Sequence, residues 1–185
     1  MMNALRFSIV AGIVLTLTAA SAATVQAGNV TVKKVHVCCG ACVAAIDKSL
    51  KGVTGVTDAK ADRKSKTVSF TAENDKAAEA GIKALAKAGF HGAAAHDSKK
   101  LNFPASGAKK GDKSNSITLN GVHLCCGGCK STAKRAFRGL KGVLDVKCDS
   151  KAKTVALTGT SIDVVAAVAA LNKAGFHGSL KKAAK

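Results

Sequence analysis

The 185-residue chain contains no tryptophan, no tyrosine and a single proline, Pro104, and its 29 lysines and arginines face only 11 aspartates and glutamates. Without exposed aromatic rings there is no platform on which bases stack, so the net charge of +18 does not indicate a nucleic-acid partner. It suits lysine-rich solvated faces that keep a protein soluble and steer it toward acidic partners. The apolar 47% is mostly Ala and Val with six Phe, so any core is built of small side chains and the domains are small. No apolar run reaches the roughly 18 residues wanted for a membrane span.

The longest such run, Ser8 to Ala20, follows Arg6 and precedes small residues, the layout of a secretory signal. Ala20-Ser21-Ala22 and Val25-Gln26-Ala27 both fit a cleavage site. Cleavage after Ala27 is preferred, because Val30 then opens the first strand. The expectation is a signal peptide at 1–27 and an exported protein, periplasmic or secreted, with no stable membrane insertion after cleavage.

Against these absences stands cysteine in two places. The heptapeptide HVCCGAC, His36 to Cys42, returns as HLCCGGC, His123 to Cys129, and the two hold six of the seven cysteines. Clustered thiols suit soft-metal binding better than a long-range staple. The repeat extends well beyond the clusters. At the same offset Val30 and Val32 meet Ile117 and Leu119, and Ile46, Leu50 and Val53 meet Ala133, Phe137 and Leu140; after one deleted residue, Lys87 to Gly92 matches Lys173 to Gly178. The halves are copies, at 28–97 and 116–185. Residues 98–115, with Pro104, Gly, Ser, Lys and Asp, read as a flexible linker.

Each copy resolves into the same six elements. Val30 to Val37 is a β-branched strand; Ile46, Leu50 and Val53 make a helical stripe from Cys42 to Lys51 and just beyond. Val56 to Asp62 and Thr67 to Glu73 form a hairpin around Arg63-Lys64-Ser65. Asp75 to Ala88, repeated by Ser161 to Ala174, is a helix ending at Gly89 or Gly175, and a short strand follows His91 or His177. The order βαββαβ is that of an α+β, ferredoxin-like split βαβ domain, here twice in tandem.

With the loop between first strand and first helix, the spacing of Leu50, Val53 and Val56, and the Gly-Phe after the second helix, each copy resembles the heavy-metal-associated domain. That module occurs in copper chaperones, in metal-pumping ATPase tails and in periplasmic mercury-binding proteins. The resemblance covers Val30 to about His96 and Ile117 to about Leu180. It implies a non-enzymatic metal carrier, chaperone or scavenger holding Cu(I) or Hg(II), with Zn(II) as a further option, up to one ion per domain. The implied partner is a metal-transporting membrane protein or another thiol carrier with an acidic face.

Independently of the resemblance, Cys42 and Cys129 sit at helix N-termini, where free amides and the helix dipole favour thiolate. The loop departs from the family's Gly-Met-x-Cys-x-x-Cys. Anchoring on strands aligns Gly121-Val122-His123 with Gly-Met-x and pairs Cys125 with Cys129 at CxxxC spacing; anchoring on sulfur selects Cys39 with Cys42 and Cys126 with Cys129. The latter pairs are preferred as core ligands, with Cys38 and Cys125 as third donors, which would favour trigonal Cu(I) or zinc, cadmium or mercury. His36, His123, His91 and His177 are auxiliary candidates, since imidazole serves as ligand or as support to one. Cys148 reads as a small buried hydrophobe.

Two other functions compete. CxxC at a helix start is also the pattern of a thiol-disulfide redox protein, but thioredoxins are larger and place a proline opposite the disulfide, and neither copy has one. The second is a metal-sensing adaptor of a membrane transporter, docking through the basic faces.

Overall fold

A computed structural model describes residues 27–180; the signal-peptide expectation falls almost wholly outside that range. The first copy runs β1 (Gly28–Lys33), α1 (Gly40–Leu50), β2 (Val56–Asp62), β3 (Thr67–Ala72), α2 (Asp75–Lys87) and β4 (Ala93–His96). A short β5 (Lys99–Leu101) follows in the segment read as linker. The second copy runs β6 (Lys113–Asn120), α3 (Gly127–Ala136), β7 (Val143–Asp149), β8 (Thr154–Asp163), α4 (Val164–Lys173) and β9 (Ser179–Leu180).

The sheets are antiparallel, ordered β2-β3-β1-β4-β5 and β7-β8-β6-β9. Alternation along β1 sends Val30 and Val32 inward, opposite Phe70 and Val68 of β3, and the helices bury Ile46, Leu50, Ile82 and Leu85 against that face. In the second copy Ile117, Leu119, Val155, Leu157, Ala133 and Leu171 do the same. This is the expected tandem ferredoxin-like α+β architecture.

Several boundaries differ from expectation. β1 stops at Lys33 because Lys34 takes a positive φ of 62°, and Val35 and Val37 are buried from a loop instead. The α1 and α3 stripes end at Leu50 and just past Ala136, so Val53 and Leu140 lie beyond the helices, each donating its N–H back to a carbonyl three residues earlier. α4 begins at Val164 rather than Ser161: Ser161 has φ 51°, Ile162 pairs with Ser114, and Asp163 caps the helix by accepting from the N–H of Ala166 at 2.8 Å.

The copies meet at their repeated Gly-Phe-His-Gly loops. Phe90 and Phe176, both fully buried, form an antiparallel bridge across the domain boundary. The N–H of His177 donates to the Gly89 carbonyl at 2.9 Å, and that of His91 to the Gly175 carbonyl at 3.1 Å. Gly89 and Gly175 have φ of 88°, and a Cβ on either would strike the cysteine loop of the other copy, at the amides of His123 and His36. Glycine is required there for both conformation and approach.

Candidate metal centre

Each cysteine loop is anchored before it carries any chemistry. The N–H of Val35 donates to the Lys66 carbonyl at 3.0 Å, and that of Val122 to Lys153 at 2.9 Å, so each loop is tied to the hairpin turn of its own copy. Arg63, at that turn, donates to the Cys38 carbonyl at 3.1 Å. Cys39 and Cys126 are the N-cap residues of α1 and α3, in extended conformation and without a side-chain cap bond. The first-turn amides are therefore left to favour nearby thiolates.

The bridge between the Gly-Phe loops brings the two cysteine loops face to face. Within each copy, Cys39 lies 3.7 Å from Cys42 and Cys126 3.7 Å from Cys129, sulfur to sulfur; Cys38 lies 3.7 Å from Cys42 and Cys125 3.5 Å from Cys129. Both alignments of the loop thus give sulfur pairs in contact. Between copies, Cys38 is 3.5 Å from Cys126 and 3.6 Å from Cys129, Cys125 is 3.6 Å from both Cys39 and Cys42, and Cys42 is 4.0 Å from Cys129. Cys42 and Cys129 are buried at the centre; Cys38, Cys39 and Cys126 are half-buried and Cys125 is exposed.

Three groups of donor atoms converge among the described residues: His36, Cys38, Cys42 and Cys129; Cys42, His123, Cys125 and Cys129; and Cys38, Cys39 and Cys126. His36 and His123 each keep a buried Nε2 without a hydrogen-bond partner. Their rings stack on Phe176 and Phe90 of the opposite copy at centroid distances of 4.3 and 4.4 Å. His91 and His177 belong to none of these groups: their rings lie parallel, 6.2 Å apart, with Phe103 4.5 Å from His91. Cys148, on β7, is half-buried and lies against the Lys130 carbonyl.

Crowding of the thiols divides their acidities. The contact with Cys129 holds the Cys42 thiol well below its usual range, while the same contact and burial push Cys129 up. Burial pushes Cys38 to about 12 and also raises Cys125. The backbone amide of Cys129 lowers Cys126 to about 7. Burial lowers the His36 pKa.

Sequence reasoning did not single out Arg63 as a loop support, nor Phe90 and Phe176 as the join between copies. The repetition of Gly-Phe-His-Gly beside the repeated cysteines was the available signal.

A split βαβ sheet with thiols at the first helix start is the layout of a small metal-binding module, here doubled. The heavy-metal-associated domain model matches residues 30–91 and 118–177, and the chain belongs to that family, whose members bind heavy metals. Among solved structures, it is similar to oxidized MerP from Ralstonia metallidurans CH34, at 23% identity over 38% of this chain and 100% of that one, with a TM-score of 0.34. It is also similar to the N-terminal soluble domains of Bacillus subtilis CopA, at 20% identity over 84% and 95%, TM-score 0.33. The apo heavy-metal-associated domain of a copper chaperone for superoxide dismutase is a third, at 21% over 46% and 87%, TM-score 0.33. Among curated proteins none matches the chain.

Proposed function

We propose that this chain is an exported, non-enzymatic carrier that takes up a soft or borderline heavy-metal ion on its cysteine loops and hands it to another thiol protein. The convergence of six sulfurs within 3.5–4.0 Å contacts carries the reading. Thiolates of this density suit Cu(I) and Hg(II), and with imidazole added they also accept Zn(II). The proposed ligands are Cys38, Cys39, Cys42, Cys125, Cys126 and Cys129, with His36 and His123 in reach. Cys125, the exposed thiol of the six, is the one a partner's sulfur meets first.

Removal of the leader at 1–27 leaves a mature chain of two domains, 28–97 and 116–185. Among the described residues no helix is long and apolar enough to cross a membrane. A net charge of +18 favours a partner with an acidic face, such as the metal domain of a membrane transporter or another thiol carrier.

The test is transfer. Reduced protein loaded with Cu(I) is mixed with an acidic thiol metal carrier and the two are separated by ion exchange. Metal appearing on the acceptor, and failing to load on a variant with all six loop cysteines replaced by Ser, supports the reading; no tight loading of the native chain contradicts it.

A further inference from the structure

None of the three convergent donor groups lies within one copy. The first joins His36, Cys38 and Cys42 to Cys129, the second joins Cys42 to His123, Cys125 and Cys129, and the third joins Cys38 and Cys39 to Cys126. The first two are counterparts of each other under exchange of the copies, and they share the buried pair Cys42 and Cys129.

Their dimensions fit an ion. The sulfur triangle of Cys38, Cys42 and Cys129 has edges of 3.7, 3.6 and 4.0 Å, and that of Cys42, Cys125 and Cys129 has edges of 3.6, 3.5 and 4.0 Å. The centre of each triangle is roughly 2.2 Å from its three sulfurs, against a metal–thiolate bond of about 2.3 Å. The two centres lie across one shared edge, no more than roughly 2 Å apart, whereas ions in two-metal sites keep about 3.5–4 Å. These two seats therefore take one ion between them.

We propose that the ion is held between the domains, not within either: Cys42 and Cys129 bind it throughout, and Cys38 with His36 or Cys125 with His123 completes the site. This rests on the metal-carrier reading above and deepens it. The ion passes from one seat to the other by exchanging a single sulfur: the bond to Cys125 forms as that thiol gives up its proton, and the bond to Cys38 breaks as that sulfur takes one. The contacts that seat His36 and His123 against the opposite copy, including the His36 N–H on the Gly175 carbonyl at 3.2 Å, hold the two loops ready for this. Metal loading then clamps the domains, and a partner gains the ion by replacing sulfurs at the rim.

The test uses the full reduced chain and Cu(I) buffered by a chromophoric chelator. Cys42→Ser alone, and Cys129→Ser alone, are each expected to lower the affinity of the tightest ion more than about 100-fold, beyond the 10- to 100-fold that loss of an outer-shell partner costs. Cys38→Ser and Cys125→Ser singly each leave one seat and retain one ion. Circular dichroism confirms that each variant is folded, and a variant that unfolds is replaced by the corresponding Ala substitution. If Cys42→Ser keeps an ion at native affinity on the second domain, the shared site is overturned while the carrier reading stands. If the native chain binds no ion tightly, the carrier reading itself fails.

Discussion

His36, in the cysteine loop of the first domain, stacks on Phe176 of the second with ring centroids 4.3 Å apart, and Phe90 stacks on His123 in the mirrored way at 4.4 Å. Each domain's cysteine loop is thus supported by the other's Gly-Phe loop. The sulfurs meet because these loops cross.

Phe176→Ala removes a fully buried ring from both a core and that join. Its expected cost is about 3–5 kcal/mol, the usual range for a buried phenylalanine. Urea unfolding of the reduced, metal-free protein measures it. A parallel Cu(I) titration should show weaker binding although no ligand has changed, since His36 and its loop lose their backing.

Gly175→Ala should be more harmful than its size suggests. Its φ of 88° is in the left-handed region, and the added Cβ would strike the His36 amide. Strain of this kind costs on the order of 1–3 kcal/mol. A fall in thermal midpoint together with a loss of protection of the His36 amide in hydrogen exchange checks both parts.

Arg63→Ala takes away the donor to the Cys38 carbonyl. The side chain is not a ligand, so ion number should hold while affinity falls about 10-fold, the scale of an outer-shell loss. Competition titration against a chelator separates number from affinity.

Acid should destabilise the metal-free protein through its buried histidines. Burial, and then the neighbouring His177, lower the His91 pKa from 6.5 to about 4. His177 is lowered too, by burial, and Phe103 covers the pair. Between those values the unfolded chain binds a proton that the folded chain refuses, so stability is present above about pH 6.5 and declines as pH falls toward 4. Denaturant midpoints measured across this window should drop with acidification, and His91→Gln should flatten the slope.

Most of each domain was legible in the sequence because burial leaves a period. Val30 and Val32 alternate, Ile46 and Leu50 are one helical turn apart, and the copies repeat them, so the sheet, the helices and the candidate thiols followed. The join between copies was not legible in that way. It is made by single loop residues, Phe90, Phe176, Gly89 and Gly175, whose partners lie in the other domain and follow no period. β5 was missed for a related reason: Lys99–Leu101 is short and polar, and buries only Leu101 while pairing with β4. Cysteine spacing likewise describes pairs within one loop, such as Cys39 with Cys42, and carries no sign of the contacts from Cys38 to Cys126 and Cys129.

X-ray absorption spectroscopy of the reduced chain loaded with one equivalent of Cu(I) tests the central claim most directly. Three sulfurs at about 2.3 Å are expected around the ion, the bond length of a metal–thiolate site. An ion with no sulfur neighbours, or the same spectrum from a chain lacking all six loop cysteines, would contradict it.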